Sequence, residues 1–207
     1  TPRLIVEDDM SNCEKLVRGI GVKGNKYPSS ISRKHVKEYK LWESMLDRCT
    51  DKWKIKSPTY AGVTCSENFK SYSFFYEWCQ EQVGFGNVDE NNIYWHLDKD
   101  LLARGNKLYS EDTCVFIPQR INNLILKVDK RRGDYPLGVF FREDRNKFMA
   151  SCKPKGYLGL FETEEDAFLV YKKYKESFIR SVAFEYEQLI DTRAYKSLID
   201  YRVEFDD

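Results

Sequence analysis

The sequence predicts an α+β protein in two modules, the second a three-stranded antiparallel sheet packed on a helix and followed by further helix. Three observations predict it. Apolar residues recur at helical spacing over 36–50, where Leu41, Trp42, Met45, Leu46 and Cys49 fall on one stripe. Short strand-like runs in 138–161 are split by turn residues, Asp144-Arg145-Asn146 and Pro154-Lys155-Gly156. A helix signal follows at once, with Thr163 as N-cap and Glu165 and Asp166 at the positive end of the helix dipole.

The elements follow in order. Residues 1–35 are polar, broken by Gly19, Gly21, Gly24 and Pro28, and are expected to form an N-terminal arm. Lys23, Lys26, Arg33, Lys34 and His35 suit either a phosphate contact or a solvated surface. The helix over 36–50 ends before Ser57-Pro58, and Val63-Thr64-Cys65 suits a short strand. A second helix is expected over 69–82, where Phe69, Tyr72, Phe75, Tyr76 and Trp78 read as core. Residues 93–102 suit a strand entering the loop Arg104-Gly105-Asn106-Lys107, and Val115-Phe116-Ile117 precedes a helix near 118–126. The basic stretch Lys127-Val128-Asp129-Lys130-Arg131-Arg132 separates a first module, 36–127, from a second, 133–180. In the second, Ala167, Phe168, Val170, Tyr171 and Tyr174 form the helix's apolar stripe. The extension 181–207 continues a helical pattern that starts near 177. Its apolar residues suit packing back on the chain or a homodimer.

Composition limits the function. Lys and Arg number 34 against 33 Asp and Glu, a net charge of +1. That excludes a uniformly basic coat for nucleic acid, so any such site is a local patch. The six cysteines include no C-x-x-C pair and read as small hydrophobes of a reduced, cytoplasmic protein. No apolar run reaches membrane-spanning length and no signal peptide is visible, so no membrane partner is expected. The local patch is on the strands. Phe140, Arg142, Ser151, Lys153, Lys155 and Tyr157 are expected on one face, with Arg131 and Arg132 of the connector beside it. Cations interleaved with aromatics on an exposed sheet suit a nucleic-acid groove.

Gly138-Val139 and Leu158-Gly159-Leu160-Phe161-Glu162-Thr163-Glu164-Glu165-Asp166-Ala167 carry a resemblance. Over about 133–180 the second module resembles the Apetala-type DNA-binding domain of plant ethylene-response factors, also found in phage and mobile-element proteins. The resemblance implies that the sheet lies in the major groove of double-stranded DNA with the helix behind it. It places Phe140 and Arg142 toward the groove from the first strand, Ser151 and Lys153 from the second, and Lys155 and Tyr157 from the third. Plant members carry arginines where Phe140, Ser151 and Lys155 stand here. A guanidinium bonds guanine bidentately, whereas Phe140 can touch only a thymine methyl or a sugar.

The first module resembles phage homing-endonuclease-like proteins of H-N-H type. The matching residues include Trp42-Glu43-Ser44-Met45-Leu46, Leu97-Asp98-Lys99-Asp100, Gly105-Asn106-Lys107 and Thr113-Cys114-Val115-Phe116-Ile117-Pro118. The resemblance implies a ββα-metal module in which a divalent cation and a histidine base hydrolyse a phosphodiester. Asp98 falls on the ligand position, Lys99 on that of the base, Thr113 on the middle Asn and Asn122 on the last position. An amine stays protonated at neutral pH unless strongly desolvated, and a cation there repels a metal. His96 lies two residues before Asp98, so along a strand the two share a face, and His96, Asp98 and Asp100 form an alternative base or metal cluster. The alternative reading is that His96 is a boundary residue next to Trp95 and that Asp98 and Asp100 hold the loop Arg104 to Lys107, or that Lys99 makes a non-cutting phosphate contact. The expectation is a degenerate nuclease module, with no cofactor unless magnesium serves an active site at Asp98. The chain is then a sequence-specific DNA-binding protein, such as a transcriptional repressor, in a phage-infected or satellite-bearing cell. An active endonuclease and a protein-binding inhibitor are the alternatives.

Overall fold

A computed structural model of the chain describes residues 15–125 and 134–205. Arg131, Arg132 and Cys13 lie outside the described residues. In chain order the first elements are β1 (Ser30–Ile31), β2 (Lys34–His35), α1 (Lys37–Cys49), α2 (Asp51–Lys56), β3 (Thr64–Cys65), α3 (Glu67–Lys70) and α4 (Tyr72–Glu81). Next come β4 (His96–Asp98), β5 (Leu108–Tyr109), β6 (Val115–Ile117) and α5 (Gln119–Ile125). The last are β7 (Val139–Arg142), β8 (Lys147–Cys152), β9 (Gly156–Phe161), α6 (Glu164–Glu185) and α7 (Thr192–Ile199). The fold is α+β, with small sheets among helices. Its described residues form two compact units, 15–81 with 106–113, and 82–105 with 114–205.

The first unit is built on aromatic packing. α1 buries Tyr39, Trp42, Met45 and Leu46, and α4 buries Tyr72, Phe75, Trp78 and Cys79. Each fully buried large side chain contributes roughly 2–3 kcal/mol relative to exposure. The polar end of Trp42 is satisfied, since its Nε1–H donates to the Phe69 carbonyl at 2.7 Å. The helix expected over 69–82 is two helices, broken at Ser71. The cause is remote in sequence: Val22 donates its N–H to the Lys70 carbonyl and accepts from the Tyr72 N–H, both at 2.9 Å. Helical hydrogen bonding cannot continue through those groups, and Ser71 is extended. The stretch expected as a loose arm therefore contains a docked segment, followed by the hairpin β1–β2 with Ser32 and Arg33 in left-handed conformation. β3 pairs in parallel with β5.

In the second unit β4 pairs antiparallel with β6, Asp98 opposite Val115, and α5 follows directly. Strands β7, β8 and β9 form an antiparallel sheet in sequence order. Val139, Ala150 and Cys152 on its inner face pack with Ala167, Phe168 and Tyr171 of α6 and with Val203. Gly138 makes this approach possible. Its φ is +76°, and a Cβ there would lie 2.0 Å from the Tyr171 ring. Thr163 caps α6 as expected, its Oγ1 accepting from the Asp166 N–H at 3.2 Å.

α6 runs unbroken past residue 180, and the helical pattern expected over 177–202 breaks at 186–191. Asp191 then caps α7, accepting from the Arg193 N–H at 2.7 Å. Ile179, Val182, Ile190, Ala194 and Leu198 are buried within this unit. The end of α6 also meets the ββα segment. Tyr186 packs edge-on to Trp95, and Arg120 Nη2 bonds Glu185 Oε1 at 3.1 Å.

Candidate nucleic-acid interface

The outer face of the β7–β8–β9 sheet is set by strand alternation. Residues whose neighbours point into the core point away from it. Along β7 these are Phe140 and Arg142, along β8 they are Lys147, Met149 and Ser151, and along β9 they are Tyr157 and Leu160. Phe140, Met149 and Leu160 stand opposite one another, so one row crosses all three strands. Arg142 stands opposite Lys147, and Ser151 opposite Tyr157. Phe140 is 52% exposed and Tyr157 58%.

The pairing shifts register between Ala150 and Ser151, because Ala150 faces Gly159 while Ser151 faces Tyr157. Leu158 is the extra residue, and it packs against the core. A single inserted residue keeps Tyr157 and Leu160 on one face although they are three apart. Gly159, at φ +152°, accommodates it, and a Cβ there would strike the Phe161 ring at 2.8 Å.

Of the six strand positions expected on one face, four lie together on the outer face of the sheet: Phe140, Arg142, Ser151 and Tyr157. Lys153 and Lys155 do not, and their expected placement on β8 and β9 is corrected. β8 ends at Cys152 and β9 begins at Gly156, so both lysines sit in the connecting turn. Pro154 offers no N–H to a ladder, and Gly156 at φ +83° closes the turn. Lys153 is exposed at the turn. The Lys155 ammonium lies 5.9 Å from the Tyr174 ring, on the helix side of the sheet.

The face also holds acids. Arg142 donates from Nε and Nη2 to the two carboxylate oxygens of Asp144, at 2.9 and 3.2 Å. That pairing raises the Arg142 pKa and lowers that of Asp144. Lys147 Nζ lies 2.6 Å from Glu162 Oε1. Both pairs are open to solvent, where such contacts exchange cheaply with a competing anion. Met149, Leu160, Lys147 and these two acids were not singled out from the sequence. The alternation Lys147, Met149, Ser151 along β8 was the available signal.

The ββα segment uses its charged groups differently. Asp98 Oδ1 accepts from the backbone N–H groups of Asp100 at 2.9 Å and Leu101 at 2.7 Å. Burial raises the carboxyl's pKa, and the Leu101 and Asp100 N–H groups pull it back down. Lys99 is buried, with Nζ at 2.8 and 2.7 Å from the carboxylate oxygens of Asp100. Thr113, at the middle position, donates to the Leu108 carbonyl and accepts from the Ser110 N–H. Asn122 lies half-buried on α5, and His96 half-buried on β4 opposite Ile117.

Asp98 caps a turn through Oδ1, and the Lys99 ammonium beside it bonds Asp100 and works against a divalent cation there. Among the described residues, no group of three or more His, Cys, Asp or Glu side chains is placed to hold a metal ion. Cys65, Cys79, Cys114 and Cys152 are buried and Cys49 is half-buried. No helix among the described residues is long and apolar enough to cross a membrane. No protein-family model, curated protein or solved structure matches the chain.

Proposed function

We propose that this chain binds double-stranded DNA through the outer face of its three-stranded sheet and acts by occupancy, as a transcriptional repressor does, rather than by cutting. The observation that carries the reading is the row and flanks of that face. Phe140 and Tyr157 stand exposed beside Arg142 and Ser151 on a short twisted sheet backed by α6. Three strands at about 4.8 Å spacing span roughly 10 Å, which fits a major groove about 12 Å wide. Charge supports the same partner. Residues 127–162 hold nine Lys and Arg against five Asp and Glu, a net of +4 in a chain whose total is +1. Descent from a homing endonuclease agrees with the ββα order of β4, β6 and α5, while the engagement of Asp98, Lys99 and Thr113 in the fold favours an eroded nuclease over an active one.

A second reading has its own observation. The ion pairs Arg142–Asp144 and Lys147–Glu162 reduce the positive charge on the face, which suits contact with a protein. Retention of a random duplex pool on immobilised full chain separates the two. DNA binding predicts retention that salt abolishes, and protein contact predicts none. Incubating the retained duplex with magnesium or manganese tests cleavage, and intact DNA is the expected result.

A further inference from the structure

We infer that the bound sequence is read through thymine methyl groups by the apolar row Phe140–Met149–Leu160. This inference rests on the DNA-binding reading and names what that face selects. The three side chains stand in register, one from each strand, across the middle of the outer face. None of them carries a hydrogen-bond donor, and only the weakly accepting Met149 thioether departs from hydrocarbon. The donors of the face lie to either side: Arg142 and Lys147 at one end, Ser151 and Tyr157 at the other.

The major-groove edge of a base pair offers such a row one apolar group, the C5 methyl of thymine. A G·C pair in the same place sets N7, O6 and the N4 amino group against hydrocarbon, and an A·T pair sets N7, the N6 amino group and O4 there, so the polar edges cost about the same in both. The row therefore selects A·T pairs by burying the methyl that only they carry. Arg142 stays within reach of an adjacent guanine or phosphate once Asp144 gives it up. Lys153, exposed in the turn off the face, contributes attraction without base choice.

The test starts with duplexes selected from a random pool by the full chain. The tightest-binding duplex is then synthesised twice, once with thymine and once with deoxyuridine at every thymine. The two differ only by C5 methyls and keep every hydrogen-bonding edge. Loss of affinity of about fourfold per contacted methyl is expected on substitution. Phe140→Ala and Leu160→Ala, with folding checked by circular dichroism, are expected to shrink that difference. Equal affinity for the thymine and deoxyuridine forms overturns the methyl reading and leaves DNA binding standing. A pool from which nothing is retained overturns DNA binding and this inference with it.

Discussion

The ββα segment β4–β6–α5 and the outer face of the β7–β8–β9 sheet both carry residue types that DNA chemistry uses, and the fold treats them in opposite ways. At the ββα segment the charged groups serve the backbone. Asp98 caps a turn and Lys99 is buried against Asp100. On the sheet Phe140 and Tyr157 stand out into solvent, and Arg142 is held by an exposed ion pair with Asp144. The difference separates groups engaged inside the fold from groups open to a partner: Asp98 and Lys99 bond within their own turn, while Phe140 and Tyr157 are exposed.

The comparison breaks most visibly at the support of the sheet. Gly138→Ala forces a Cβ into Tyr171 at a left-handed backbone position. Loss of about 3 kcal/mol or more is expected, together with DNA binding, read by chemical denaturation and by duplex retention. An unchanged unfolding midpoint would show that the close approach does not hold the sheet.

The face itself comes next. Phe140→Ala with Arg142→Ala is expected to weaken duplex binding roughly 10- to 100-fold while leaving the unfolding midpoint within error. Asp98→Ala is the mirror image. It strips two backbone N–H groups of their acceptor and is expected to cost about 2 kcal/mol of stability without changing DNA affinity. A fall in affinity without loss of stability would return Asp98 to the list of functional groups.

Alkali sharpens the contrast with a smaller effect. Burial pushes the Tyr171 hydroxyl up to about 12, from an ordinary 10.0. Between those values the unfolded chain releases the proton and the folded chain keeps it, so stability falls as pH rises from 10 toward 12. Tyr171→Phe removes that contribution. A shallower loss of stability with pH is expected, by at most about 1.4 kcal/mol per pH unit, followed by denaturation at several pH values.

Much of the second unit was legible because its signals are local. The turns at 144–146 and 154–156 and the cap at Thr163 depend on residues adjacent in sequence. Asp191 was an equally local cap signal, and reading it would have split the helical pattern over 177–202. The break at Ser71 was not legible, since it comes from pairing with Val22, about fifty residues away. Lys153 and Lys155 were misplaced because alternation was carried through Pro154, which a ladder cannot use. The sequence offered Asp98 as a metal ligand or a loop support and did not show Lys99 buried against Asp100. Only the hydrogen bonds to Asp100 and Leu101 separate a turn cap from a metal ligand.

The most direct measurement is the affinity of the full chain for a labelled random duplex pool as salt rises from about 50 to about 200 mM. With Arg142, Arg145, Lys147 and Lys153 as the phosphate-accessible cations of the sheet, the logarithm of affinity is expected to fall linearly with the logarithm of salt, with a slope of about −4. Arg142→Ala should reduce that slope by about one. No binding at the lowest salt, or binding that salt does not change, would contradict a duplex on the sheet.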